Sequence, residues 1–564
     1  MKNNKIPIIY ILFFLLVMIL FGAFLFFSIK KPKNYFTPKI TKIESAIRGD
    51  IKTAKNFTLA KSERIYNVYI NPLYIAPTKK EMFIDLFSIY TGISKKKLKK
   101  KLALKKRVLL ARVDLKTKQQ LIYLRRVLDY YRVFASINGI RRGYDIENII
   151  YENKKVAPLF KRVYPYNDTF EPFLGRYLKD KARGDNGIEE YYDLILRPKK
   201  NGKVSGYRDV SGNIIYDKNA VVTYPINGKN LKLNINLVLQ KRIENLLDEL
   251  KPIYQAREII VAVMESKTGK IIAFATSNRF NPNKITKKDI PNMKIGAIRT
   301  LFQPGSVMKP IIFSLLLEYN KVNPYEVLNA YNGRWKPKWR KRPIIDDEKF
   351  EWLSAENAIV YSSNIVTSQL SLRLTNKEIY YGLKKFGFSN YSGIDLPYER
   401  KGKLRSLKEY NYPIYKSTTN YGYGICVTFV QLLKAYNVFN NNGIIVTPKI
   451  ADVKTDKKRV ISAKNAKKML NILRKVVLKG TGKKAYIEDI FTAGKTGTAH
   501  VKLDEKRYNS SFFGFANDKN NKYTIGVTFF DIKAPFPNYF ASYSAVPLFK
   551  KVVIIMKDEK LIGD

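Results

Sequence analysis

Residues 6 to 29 read IPIIYILFFLLVMILFGAFLFFSI, 24 consecutive positions without a charged side chain. A helix rises about 1.5 Å per residue, so such a run crosses a hydrocarbon layer of roughly 30 Å. A cleaved leader has an apolar region of only roughly 7 to 15 residues before an A-x-A-like site. This run is longer and shows no such site, so the expectation is an uncleaved transmembrane anchor behind a short cytoplasmic tail, residues 1–5. Lysines flank both ends, Lys2 and Lys5 before it and Lys30, Lys31 and Lys33 after it, so positive charge alone leaves the orientation open.

The rest of the chain has to fold beside that anchor. With 45% apolar and 13% aromatic residues over 564 positions, it has material for two or more cores. The formal charge of +56 favours anionic partners in general. The excess is mostly lysine spread along the whole chain without a clustered reader motif, so it is taken as background and no nucleic-acid partner is expected. One cysteine, Cys426, and one histidine, His500, cannot assemble a disulfide framework or a Cys/His metal site.

Residues 30–230 mix short β-like runs, such as RIYNVYINPLYIA (64–76), with basic helical stretches. SKKKLKKKLALKKRVLLARV (94–113) sets Leu98, Leu102, Leu109 and Leu110 near one face and reads as a solvated helix on a small domain. From Leu231 to residue 564 the pattern tightens into one α/β unit. LNINLVLQKRIENLLDELKPI (233–253) reads as a strand end and an amphipathic helix closed by Pro252. EIIVAVMESKTGKIIAFATS (258–277) and SSFFGFANDKNNKYTIGVTFFD (510–531) read as hairpins. Helical segments are expected over roughly 305–319, 354–373 and 428–440.

Residues 493–498 read AGKTGT. A phosphate-binding Walker loop needs a second glycine five positions before Gly494, and Asp489 stands there. The alternative is a strand of an antiparallel sheet whose lysine and hydroxyls face an anionic substrate beside a nucleophile. QPGSVMKP (303–310) supplies the nucleophile. Pro310 has no N–H and clashes inside a helix, so the helix starts near Ser306. Lys309 falls one turn on, where its amine is expected to reach the Ser306 hydroxyl. A serine attacks only when a base takes its proton, and a lysine serves when burial and nearby positive charge keep it neutral.

Ser362 and Asn364 form S-x-N inside AENAIVYSSNIVTSQLSLRL, and Lys495, Thr496 and Gly497 follow. Ser362 is expected to relay a proton to the leaving group and Asn364 to hold a substrate amide. Lys495 with Thr496 and Thr498 is expected to bind a carboxylate, and Gly497 to let the substrate backbone approach the strand. His500 invites a serine–histidine reading, but a triad needs an orienting carboxylate, and Lys309 is already one turn from Ser306. On a strand His500 shares a face with Thr498 and Thr496, which puts it near the cleft.

The set S-x-x-K, S-x-N and K-T-G resembles that of the penicillin-binding proteins, the serine acyl-transferases. VAVMESKTGKIIAFAT is similar to the family's opening hairpin. YGYGICVTFVQLLKAYNVFNNNGIIVTPKI (421–450) is similar to its Gly-Tyr-Gly, Thr-x-x-Gln and Asn-x-Gly block. AIRGDI (46–51) and GIEEYYDLIL (187–196) resemble pedestal motifs of the monofunctional class B proteins. The sequence departs from the family at KTAKNF (52–57) and at His500, where the family usually has Gln.

The resemblance implies an α/β (α+β) penicillin-binding transpeptidase fold: an antiparallel sheet covered by helices over 231–564, an elongated α+β pedestal or dimerisation-like domain over 30–230, and the anchor over 6–29. It implies a D,D-transpeptidase that cross-links peptidoglycan. Ser306 would attack the D-Ala-D-Ala bond of a stem peptide, a second stem-peptide amine would resolve the acyl-enzyme, and the N–H groups of Ser306 and Thr498 would form the oxyanion hole. β-Lactams would acylate the same serine. Neither metal nor organic cofactor is implied. No stretch of 30–230 resembles a glycosyltransferase, so the protein is expected to be monofunctional. Residues 109–134 resemble the division-specific branch, implying septal synthesis with a membrane-embedded glycosyltransferase and divisome partners, the N-terminus inside and the catalytic domain periplasmic. The elongation branch is the alternative. A β-lactam sensor or β-lactamase shares the triplets, but a hydrolase needs a base that activates water, and none is identifiable.

Overall fold

The computed structural model describes residues 5–29, 39–137, 140–147, 149–151, 160–207, 214–501 and 506–563. The apolar run forms a single helix, Lys5–Ile29, and its stretch Ile8–Phe26 lies outside the cores with none of it buried, as suits a segment solvated by lipid.

The centre of the catalytic half is an antiparallel sheet of five strands: β1 (Glu258–Glu265), β2 (Ile271–Thr276), β3 (Phe491–His500), β4 (Tyr508–Asn517) and β5 (Lys522–Ile532), in the spatial order β2-β1-β5-β4-β3. Both expected hairpins form. The second turns at Asp518–Asn521, where Asp518 N–H meets the Asn521 carbonyl at 3.0 Å. IIVAVM (259–264) is apolar throughout because both faces of β1 are covered. Ile260, Ala262 and Met264 enter one core, and Ile259, Val261 and Val263 the other.

Helices α1 (Leu237–Tyr254) and α7 (Ala545–Asp558) close the second core through Leu239, Ile243 and Leu247 and through Phe549, Val552 and Val553. Helices α2 (Lys309–Glu318), α5 (Phe429–Asn440) and α6 (Ala463–Leu478) close the first. The strand carrying AGKTGT is therefore an edge strand, with its free side turned toward the helical layer that bears Ser306.

Three expectations need correction. Pro252 does not close α1. It lies in the last turn, and the helix runs to Tyr254 and stops where Gln255 turns left-handed at φ 47°. Residues 354–373 are two helices, α3 (Ala355–Val360) and α4 (Asn364–Ser371), broken at Ser362, whose φ is 62°. Residues 94–113 are a helix, Lys95–Leu102, and then a strand, Val108–Val113, which pairs with Tyr66–Ile70. Leu98, Leu102 and Leu110 share a core, but Leu109 points to the opposite face of its strand.

In the pedestal, AIRGDI and GIEEYYDLIL meet. Arg48 is fully buried and donates to Glu189 Oε2 at 2.7 Å and to Asp193 Oδ1 at 2.6 Å. Arg162 takes the other Glu189 oxygen at 2.7 Å. The divergent KTAKNF segment closes a turn by itself, with Thr53 N–H donating to the Phe57 carbonyl at 2.8 Å. Leu231 and Lys232 pair in parallel with Ile51 and Lys52, and Ile51, Leu231, Leu233 and Ile235 all pack in the first core, which is continuous across the two halves. Pedestal and catalytic half are joined by Phe173 stacked on Phe274, with centroids 4.0 Å apart, by the Tyr192 hydroxyl on Asp395 at 2.8 Å, and by Phe170 N–H on Glu244 at 2.7 Å.

Candidate active site

The QPGSVMKP segment forms a tight 3-10 turn, Gly305–Met308, that runs into α2 with Pro310 in its first turn. Gly305 has φ +66°, and Gly422, at φ +80°, runs so close to it that an added Cβ would sit 2.3 Å from the Gly305 carbonyl oxygen. Ser306 is thus held between the YGYG loop and β3, partly exposed on the cleft floor.

Lys309 is fully buried one turn on. Its amine donates to the Ser362 carbonyl at 2.5 Å, to Ser362 Oγ at 3.2 Å and to Asn364 Oδ1 at 2.8 Å. All three recorded hydrogen bonds run to the S-x-N segment, so the expected direct hydrogen bond to Ser306 is not made. The cause is the left-handed Ser362, which turns both its carbonyl and its hydroxyl toward the lysine. Asn364 also donates to the Ile345 carbonyl at 2.8 Å, so its amide braces the lysine from the far side.

Lys495, equally buried, donates to Ser362 Oγ at 2.9 Å and to the Thr496 carbonyl at 3.1 Å. The Ser362 hydroxyl therefore accepts from two lysines, which occupies its lone pairs and leaves its own proton to be given elsewhere. Burial brings the Lys309 amine down to about 8, against an opposite pull from Asp346 and Asp347. Lys495 is lowered well below the usual lysine range, by burial first and by repulsion from Lys309 second. The sequence reading named burial and nearby positive charge together as what keeps Lys309 neutral. The structure makes burial the larger cause, and only one of the two amines readily holds a proton.

The remaining expected residues lie around this chain. Thr496 shares a hydroxyl hydrogen bond of 2.7 Å with Thr481. The Thr498 hydroxyl accepts from Ala541 N–H at 3.1 Å, which fixes the rotor so that its proton points to another acceptor. Gly497 serves a purpose other than the one expected. A Cβ there would meet Val307 Cγ1 at 2.8 Å and the Pro304 carbonyl oxygen at 3.1 Å, so its bareness admits the protein's own nucleophile turn rather than a substrate. His500 lines the same cavity as Ser306 and Thr498, with its ring 4.5 Å from Tyr508.

Three participants were not named from sequence: Thr481, the Ala541 amide and Asp346. Asp346 is nearly buried, accepts from the Ser363 hydroxyl and Asn364 N–H, each at 2.5 Å, and from Ile365 N–H at 3.1 Å, and so seats the start of α4. The only sequence trace of it is an acidic triplet, Asp346-Asp347-Glu348, next to a strongly basic stretch.

The cleft has two lobes, of about 390 and 710 Å³, which share Ser306, Asp347, Thr498 and Phe540. The larger is lined by Ser362, Thr481 and Thr496, the smaller by Asn364, Tyr421, Tyr423 and His500.

Comparison with known proteins matches both halves. The penicillin binding protein transpeptidase domain matches residues 259–553, and the penicillin-binding protein dimerisation domain matches 43–233. The peptidoglycan D,D-transpeptidase FtsI of Buchnera aphidicola subsp. Baizongia pistaciae is 26% identical over 98% of this chain and 94% of its own. The probable peptidoglycan D,D-transpeptidase PenA of Neisseria meningitidis is also 26% identical, over 77% of this chain and 72% of its own. Among solved structures, penicillin binding protein 2X of Streptococcus thermophilus superposes with a TM-score of 0.73 at 20% identity, covering 91% of this chain and 80% of its own. With the transpeptidase domain matched over more than half of its length and the dimerisation domain ahead of it, this chain belongs to the class B penicillin-binding protein transpeptidases.

Proposed function

We propose that Ser306 is the acylated serine of a peptidoglycan D,D-transpeptidase and that Lys309, Ser362 and Lys495 move its proton. The observation that carries this reading is the hydrogen-bonded line Lys309–Ser362–Lys495 beside a partly exposed serine at the junction of two cleft lobes. The terminal carboxylate of D-Ala-D-Ala lies against Thr496 and Thr498. Its charge stabilises an ammonium on Lys495, and that ammonium repels the proton of Lys309, leaving Lys309 the neutral base. Ser306 Oγ attacks the penultimate carbonyl and its proton passes to Lys309. As the tetrahedral adduct collapses, Ser362 gives its proton to the departing D-Ala amine and is refilled from Lys309. The N–H groups of Ser306 and Thr498 hold the oxyanion. An amine of a second stem peptide enters where D-Ala left, and the steps reverse to form the cross-link. Asn364 steadies the lysine and offers its remaining amide valences to the peptide.

The apolar helix holds residues 1–5 in the cytoplasm, and residues 30–230 form the pedestal that carries the transpeptidase domain, 231–564, into the periplasm. A septal role fits the FtsI naming of two relatives, and the partners in this reading are a membrane-embedded glycosyltransferase and divisome proteins. Labelling with a fluorescent penicillin tests the core of the proposal. The full-length protein gains a long-lived label and Ser306→Ala gains none while its circular dichroism is unchanged. A label on another serine, or one shed within seconds, overturns it. Placement at the septum in dividing cells tests the branch, and an even distribution along the cell wall favours elongation.

A further inference from the structure

The smaller lobe contains two opposite charges that do not neutralise each other. Arg340 is half-buried in its wall, with a guanidinium N–H donating to the Tyr421 hydroxyl at 2.6 Å. Asp347 lines the same lobe and is exposed beside Ser306. No ion pair joins them, and neither has another one among the described residues. A chain with a formal charge of +56 offers many cations to an aspartate, yet Asp347, which lines both lobes, and Arg340 share the wall of this one without an ion pair. His500 lines the same lobe, and its Nδ1 is buried without a hydrogen-bond partner.

Given the reading in the previous section, the position of this lobe says which part of the substrate enters it. The carboxylate of D-Ala-D-Ala occupies the lobe of Thr481 and Thr496, so the peptide leaves Ser306 through the other one. The residue before D-Ala-D-Ala is a single position from the acylated carbonyl, and its side chain has to lie in the lobe lined by Arg340 and Asp347. We propose that this lobe reads a stem peptide whose third residue ends in an amino-acid head, an ammonium beside a carboxylate, as in diaminopimelate. Arg340 takes the carboxylate and Asp347 the ammonium, while a lysine-type side chain would leave Arg340 unanswered. A planar guanidinium matches a carboxylate in a way a bare amine cannot use, and a site built for a polar group penalises the analogue that lacks it.

The test uses the full-length protein in detergent micelles and four penicillins. One is the parent compound, and three carry acyl side chains of equal length ending in an amino-acid head, in an amine alone, or in an amino acid whose carboxylate is amidated. The rate constant of acylation is measured for each. The expected result is acylation about tenfold or more faster for the amino-acid head than for the amine or the amide, the size of one charge-assisted hydrogen bond. Arg340→Gln should collapse that ratio to near unity, Arg340→Lys should restore part of it, and Asp347→Asn should slow all three side-chain forms, each of which carries the ammonium, relative to the parent compound. Equal rates for the three side chains in the native protein overturn the inference while leaving the proposed function standing, and so does an undiminished ratio in Arg340→Gln. Failure of the parent penicillin to label the protein overturns the proposed function itself.

Discussion

At the scale of single residues, the site depends on where one proton rests. Lys309, with its amine near 8, is mostly protonated at neutral pH in the free protein, and so is a poor base until something favours charge on Lys495 instead. A substrate carboxylate does that. For a β-lactam bearing its carboxylate, the acid limb of the acylation–pH profile is therefore expected below about 8, and for the esterified compound near about 8. Lys495→Ala removes the site to which the proton is driven. Lys309 then keeps its proton to higher pH, and the limb for the carboxylate compound moves up to about 8 or beyond. The sign follows because a neighbouring cation disfavours a charged Lys309, so deleting it favours one. Stopped-flow acylation across pH checks this. An unmoved limb with equal losses for both compounds would mean that Lys495 only packs the strand.

At the scale of elements, the break between α3 and α4 is the deciding feature. A continuous helix over 354–373 would point Ser362 along the helix surface. The left-handed turn instead sends its hydroxyl and carbonyl inward, and Ser363 caps α4 by accepting from Val366 N–H. Asp346 secures this turn through Ser363, Asn364 and Ile365 and also raises the proton affinity of Lys309. Asp346→Asn is expected to lower the Lys309 pKa and shift the acid limb toward lower pH, since an anion that favoured the ammonium is gone. It also costs about 1–3 kcal/mol of stability, because the amide keeps one acceptor oxygen but sets an NH2 where the second carboxylate oxygen accepted, and the remaining hydrogen bonds lose their charge. Thermal unfolding and the pH profile measure the two effects separately, and a limb that moves upward contradicts the assignment. Thr481→Val, which deletes the partner of the Thr496 hydroxyl, is expected to weaken acylation by carboxylate-bearing compounds more than by their esters. Equal loss would place Thr481 outside the carboxylate site.

For the whole molecule, a buried ionic joint ties the two separated pedestal motifs together. Arg48 and Arg162 share Glu189, Arg48 reaches Asp193, and Tyr192, between those acids in sequence, bonds Asp395 of the catalytic half. Removing one member leaves the others buried and charged. Arg48→Ala is expected to destabilise the protein by about 3–5 kcal/mol, read as a lower denaturant midpoint. The folded protein keeps its penicillin acylation rate, because no hydrogen bond or ion pair of Arg48 reaches the cleft. A loss under about 1 kcal/mol would mean that Glu189 and Asp193 regain water.

The parts that the sequence determined alone are those whose physics is local or repeats along the chain. An uncharged run of bilayer length can only be satisfied in lipid or a large core, and it forms the isolated helix Lys5–Ile29. Short apolar runs bracketing SKTG and NDKNN make hairpins, because a turn and two flanking strands lie within one short window. Pro310 fixes the start of α2, and with it the one-turn spacing of Ser306 and Lys309. Tertiary structure decided the rest, because the relevant partners lie far apart in the chain. Residues 94–113 became helix and strand only because Tyr66–Ile70 offered an edge. Gly497 is bare because Val307 lies against it. Lys309 turned from Ser306 to Ser362 and Asn364, whose acceptors come from a helix break held by Asp346. The charge state of the two lysines is set by complete burial, and how deeply a side chain is buried depends on how every layer packs over it rather than on its neighbours in sequence.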